Sequence, residues 1–191
     1  MSQKGFHMGL HMFWDNSNIW LVGRKVCQVK EPGDEAVFRI HFSHLFDFVR
    51  DSRTVEFAFV AGSVPPASDP LWQRFHSLNI QVVKQERGEL SGSEVAVDEV
   101  IQLEMANRVL DISPPGTMVL LTGDGSGYTD GHGFIKQLER AHKHGWQIEV
   151  VSWNAGCNRR LKGFAQTNGA YRELEPVYEK VTFINNKRWA Q

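Results

Sequence analysis

Cysteine is scarce in this chain. There are only two, Cys27 and Cys157, far apart and neither in a CxxC pair. That composition argues against a disulfide framework and a thiolate metal site, and two buried thiols are the simplest reading. Long apolar runs are missing too, and none approaches the roughly 20 residues that a bilayer-spanning helix needs. The N-terminal stretch MSQKGFHMGLHMFWD lacks the apolar core and small-residue cleavage site of a signal peptide, and its apolar residues lead straight into a strand. A cytoplasmic protein with no membrane partner is therefore expected. Charge of one sign is not in excess, the formal net charge being −1. This disfavours charge-driven binding to long duplexes but leaves room for a local grip on a short single strand.

The length of 191 residues fits a single domain spanning 1–191, with a tail from about 185, NNKRWAQ, expected to be a mobile end. No internal repeat or low-complexity tract interrupts it. Short apolar runs alternate with amphipathic stretches. GLHMFWD, TVEFAFVAG, IQVVK, TMVLLTGD and WQIEVVSW are the strand candidates. Helices are expected over 17–29, 41–49, from Pro70 through PLWQRFHSL, 94–110, 133–144 and 158–166. GAYRELEP and KVTFI supply a final strand and an edge strand. The run TMVLL is apolar on both faces, as in a central parallel strand. Strands alternating with helices give an α/β fold, a Rossmann-like three-layer α/β/α sandwich around a mainly parallel sheet.

Two of these strands end alike. The first runs into Asp15, followed by Asn16 and Asn18, and the fourth into Asp124, followed by a glycine-rich turn. In an open parallel sheet ligands bind beyond the carboxyl ends of the strands, so both aspartates reach one edge. Converging carboxylates repel unless a cation lies between them, and Mg²⁺ or Mn²⁺ takes oxygen ligands. Asp is equally at home as an N-cap or in a tight turn, so each position alone carries either reading. Glu94 and Asp98 share one face of the long helix beside Val97, Ile101 and Met105; they either point into a cleft or simply favour the helix N-terminus. The stretch GDGSGYTDGHGF is no dinucleotide fingerprint, because the sixth position counted from Gly125 is Asp130, and it has no Lys-Ser/Thr pair. Asp130 is either a fourth carboxylate or the cap of the next helix.

Four pieces in order resemble the NYN domain family of the PIN-like nucleases: FWDNSNIW, the Val97-Asp98 pair, LLTGDGSGY and IEVVSW. The likeness runs over about 9–183. It implies a Rossmann-like sheet and cleavage of RNA, single-stranded or structured, that depends on Mg²⁺ or Mn²⁺. Asp15, Asp98 and Asp124 would be the catalytic and metal-binding acids, and Asn16 and Asn18 would orient Asp15 or touch substrate. Many members carry a second aspartate two residues after the one matching Asp124. Here Ser126 stands there, so either Asp130 replaces that ligand or a hydroxyl completes the site.

Other residues bear on substrate. Arg159, Arg160 and Lys162 follow the fifth strand and suit a phosphate contact; Lys84 and Arg87 form a second candidate patch. Trp20, Trp72 and Trp153 fit the core or rim, and Trp153 at a strand end could stack a base. His41 and His44 suit a surface or an interface better than a metal, and His132 lies near enough in sequence to reach substrate. The leading expectation is a metal-dependent endoribonuclease. An RNA-binding module without activity is the alternative, and a phospho-aspartate hydrolase ranks last because Ser17 occupies the place of its second acid. Whether the chain works as a monomer or a homodimer is left open.

Overall fold

The computed structural model describes residues 9–64, 69–86 and 95–189. Its elements, in order, are β1 (Leu10–Asp15), α1 (Asn16–Lys30), β2 (Phe38–Ile40), α2 (Phe42–Arg50), β3 (Val55–Val64), α3 (Asp69–Ser77), β4 (Gln81–Glu86) and α4 (Val95–Asp111). There follow β5 (Thr117–Leu121), α5 (Phe134–Lys143), β6 (Gln147–Ser152), α6 (Arg159–Asn168), β7 (Gly169–Glu173), α7 (Tyr178–Val181) and β8 (Thr182–Ile184). Glu94 and Arg87 lie outside the described residues, as do the side chains of Lys84 and Trp72.

Six strands form one sheet in the order β4-β3-β1-β5-β6-β7, and every neighbouring pair is parallel. The chain winds outward from β1 through β3 to β4. It then returns to the other side of β1 and continues through β5, β6 and β7. Alternation along the strands feeds two cores. Met12, Trp14, Ala58, Val60, Val119 and Leu121 face α1, α2 and α3, where Ile19, Leu45 and Phe75 pack against them. Phe13, Phe57, Phe59, Leu120 and Val150 face the other way, onto Val97, Ile101 and Met105 of α4, Leu138 of α5 and Leu161 of α6. The result is a Rossmann-like three-layer α/β/α sandwich. Among the described residues no helix is long and apolar enough to cross a membrane.

Three features depart from the sequence reading. KVTFI does not extend the main sheet; β8 pairs antiparallel with β2, a three-residue strand inside a stretch that gives no strand signal. Asp130 does not cap the following helix. It is exposed on a short 3-10 turn, and the cap of α5 is Gly133, reached through Gly131 at φ 83° and Gly133 at φ 88°. The tail is not loose through Trp189. The Arg188 guanidinium donates to both Glu31 carboxylate oxygens at 2.7 and 2.9 Å, Lys187 pairs with Asp34, and Trp189 stacks on Phe183. Glu31 and Asp34 lie far away in sequence, which is why composition alone made the tail look free.

Candidate active site

The winding direction reverses between β1 and β5, the switch point at which an open parallel sheet leaves a crevice at its carboxyl edge. β1 enters it with Asp15, opposite Ala61 of β3, and β5 enters it from Leu121, opposite Trp14. Asp15 is 3 % exposed and caps α1, Asn18 N donating to its Oδ1 at 3.0 Å. The sequence left capping and ligation as alternatives for this residue, and its cap geometry is satisfied.

Thr122 links the two strand ends. It is fully buried, its hydroxyl donates to Asp15 Oδ2 at 2.9 Å, and Asp124 N donates to the same hydroxyl oxygen at 3.2 Å. A second link runs beside it, Gly123 N donating to Asn18 Oδ1 at 2.8 Å. So Asn18 orients the Asp124 turn as well as the start of α1. Asp124 is partly exposed. Its Oδ1 accepts from Ser126 N at 3.2 Å and from the Ser126 hydroxyl at 2.6 Å. Ser126 therefore braces the carboxylate from the solvent side.

The turn is fastened to α6. Asn158 N donates to Gly123 O at 2.8 Å, while the Asn158 side chain caps α6 by accepting from Arg160 N at 2.9 Å. A Cβ at Gly125 would sit 2.3 Å from Asn158 Cγ, and one at Gly123 would sit 2.9 Å from Ser152 Oγ. Glycine is required there because backbone and side chain approach too closely for anything larger. Cys157 adjoins this seam; burial pushes its thiol up, so it offers no ready thiolate.

The other expected residues sort as follows. Asn16 is 8 % exposed, and its Oδ1 is buried without a hydrogen-bond partner. An acceptor left so beside the crevice suits a donor that arrives with a ligand. Asp98 is partly buried in the first turn of α4. α4 packs on β1 and β3 and follows β4 in a parallel sheet, so the winding carries its first turn, with Asp98, toward the same edge as Asp15 and Asp124. Asp130 is exposed. Among the described residues no three His, Cys, Asp or Glu side chains are grouped closely enough to hold a metal ion. The pair Asp15 and Asp124 is thus coupled through Thr122, while Asp98 and Asp130 do not join them in a ligand cluster.

The rim is basic and aromatic. Arg159 and Arg160 are exposed in the first turn of α6, and the Arg160 guanidinium lies 4.4 Å from the Tyr128 ring centroid. Lys162 is engaged elsewhere, 2.8 Å from Glu173. Trp153 cannot stack a base: it is fully buried, and its indole N–H donates to Ile19 O at 2.8 Å. His41 caps α2, its ring nitrogen accepting from His44 N. Sequence reasoning missed Thr122, Asn158 and Tyr128. Thr122 carried one signal, a polar residue closing an apolar run just before Asp124.

No family model matches the chain, and no curated protein matches it. Among solved structures, a protein of unknown function from Vibrio parahaemolyticus is similar in fold, with a TM-score of 0.60 at 13% identity, over 92% of this chain and 97% of that one.

Proposed function

We propose that the chain is a metal-dependent ribonuclease of the NYN type, hydrolysing phosphodiester bonds of RNA at the crevice between β1 and β5, in the cytoplasm. The observation that carries this reading is the Asp15–Thr122–Asp124 coupling at the switch point. One buried hydroxyl there donates to the Asp15 carboxylate and accepts from the Asp124 backbone N–H, which ties the two aspartate-bearing strand ends together. The donors suit Mg²⁺ or Mn²⁺: they are all oxygen, and Mg²⁺ commonly takes one or two protein carboxylates and completes its shell with water and substrate phosphate. Such an ion, when bound, supplies an acidified water and stabilises charge on the phosphodiester.

The chain's own residues do the rest. Asp15 and Asp124 would hold the ion, and Asp98, in the first turn of α4, is the acid the likeness adds to them. Thr122 and Asn18 fix the two strand ends against each other, and Ser126 restrains the exposed side of Asp124. Arg159 and Arg160 face the strand's phosphates. A homodimer is not needed for this chemistry.

A second reading has its own observation. The Ser126 hydroxyl occupies Asp124 Oδ1 at 2.6 Å, and among the described residues no third carboxylate completes a metal-holding group; this favours an RNA-binding module without activity. The experiment that separates the two is a cleavage panel of single-stranded RNA, duplex RNA and DNA, with and without Mn²⁺. The nuclease reading expects Mn²⁺-dependent cleavage of RNA that Asp124→Asn abolishes while the variant stays folded. Full activity in that variant would sink it, and RNA binding with no cleavage under any condition would establish the second reading instead.

A further inference from the structure

Tyr128 lies four residues beyond Asp124, and three charged side chains converge on it. Its hydroxyl donates to Glu139 Oε1 at 2.7 Å, and Lys136 donates to the other oxygen of that carboxylate at 2.9 Å. Lys136 Nζ and the Arg160 guanidinium lie 4.2 and 4.4 Å from the ring centroid, both within cation–π distance. The two cations are not equivalent. Lys136 is neutralised by Glu139. Arg160 pairs with no carboxylate among the described residues, nor does its neighbour Arg159. The backbone N–H groups of Arg160 and Leu161 are already satisfied by Asn158, so the guanidinium, not the helix end, is the available donor. Asn158 also fastens α6 to the Asp124 turn.

From this arrangement we infer that Arg160 is a phosphate-binding residue for the RNA strand one step away from the carboxylate pair, and that Tyr128 is the positioning residue that holds its guanidinium in place. Glu139 anchors the Tyr128 hydroxyl, the ring carries the Arg160 plane, and the five donors of the fork stay directed at an incoming anion. A ring-held guanidinium loses less freedom on binding than a free one, so position contributes beyond charge. An acidic peptide is the less suitable ligand: it would bring carboxylates against Asp124 and Asp15, whereas a phosphodiester strand continues into the proposed reaction site. The inference rests on reading that edge as a phosphodiester site.

The test is fluorescence-anisotropy binding of a short labelled single-stranded uridine oligonucleotide in excess chelator, which separates binding from any cleavage. Wild type is expected to bind. Arg160→Ala is expected to weaken binding about tenfold, the low end for a hydrogen bond to a charged group. The slope of log affinity against log salt should shrink by about 0.7, one single-strand phosphate contact. Tyr128→Leu keeps every charge yet should weaken binding several-fold, and Tyr128→Phe, which keeps the ring and loses only its Glu139 anchor, should recover most of it. Arg140→Ala, an exposed arginine in the last turn of α5, is the charge-matched control and should change little. The inference is overturned if wild type does not bind, if Arg140→Ala weakens binding as much as Arg160→Ala, or if a matched acidic peptide competes equally. It is also overturned if Tyr128→Leu binds like wild type. Binding that follows the expected pattern in a protein that never cleaves RNA would leave this inference standing while the nuclease reading falls.

Discussion

Replacing Thr122 with valine would remove a single hydroxyl and little volume. In the folded protein that hydroxyl is fully buried; it donates to Asp15 Oδ2 at 2.9 Å and accepts from Asp124 N at 3.2 Å. Valine keeps the β-branched shape but presents a methyl group to a buried carboxylate oxygen. Losing a hydrogen bond to a charged group costs about 1.5–3 kcal/mol. Asp124 N is near solvent and can turn to water, so its share is small. A loss of about 2 kcal/mol is expected, equivalent to about 4–8 °C in Tm for a chain of this size. Urea denaturation followed by circular dichroism measures it: the midpoint should fall while the slope is unchanged. Thr122→Ser, which keeps the donor, should recover most of the loss. If valine and wild type unfold within about 0.5 kcal/mol of each other, Thr122 does not couple the two strand ends, and the geometric basis for pairing Asp15 with Asp124 is lost.

Other outcomes follow from the same geometry. Gly125→Ala would put a methyl group 2.3 Å from Asn158 Cγ, so the turn must part from α6; about 1–3 kcal/mol of destabilisation is expected in the same denaturation assay. His41 Nδ1 accepts from His44 N at 3.2 Å, a cap that only an unprotonated nitrogen can make. Burial, then the facing His44 and Arg74, holds the His41 pKa below its ordinary 6.5. The unfolded chain therefore takes up the proton first as pH falls. The stabilisation is whole above about pH 6.5 and is lost as pH drops toward the lower folded value. His41→Asn, a cap that does not titrate, should lose less stability than wild type between about pH 7.5 and about pH 5.5; parallel losses would refute the assignment. Arg188→Ala should cost about 1 kcal/mol by freeing the C-terminal segment from Glu31, seen as faster proteolysis of the tail.

The parts of the fold that were legible in the sequence are those set by local pattern. Apolar runs closing in Asp15 and Asp124 named two strands and their shared edge, because parallel strands all point the same way. The stripe of Val97, Ile101 and Met105 named α4 and the face it buries. What could not be read depends on contacts between distant residues. Strand order decides that β1 and β5 are neighbours, and no local signal encodes it. Trp153 ends a strand as a base-stacking residue would, yet its N–H is taken by Ile19 O, more than a hundred residues earlier in the chain. Thr122 sits in an apolar run, where threonine ordinarily fills a strand position. Its role exists only because Asp15 lies across the ladder. His41 is not a usual cap residue, and it serves as one here because its ring nitrogen meets His44 N. The expected carboxylate cluster is the least legible feature. Asp98 is placed by how α4 packs rather than by where a strand ends, and among the described residues no three acids form a metal-holding group.

Isothermal titration of Mn²⁺ into the wild-type chain and into Asp15→Asn and Asp124→Asn, in the presence of a short phosphorothioate RNA, addresses the metal directly. Saturable binding by wild type, lost or sharply weakened in both variants while their unfolding midpoints stay near wild type, is the expected result. No heat in wild type, or equal binding in all three proteins, would contradict a metal held by the two strand-end aspartates.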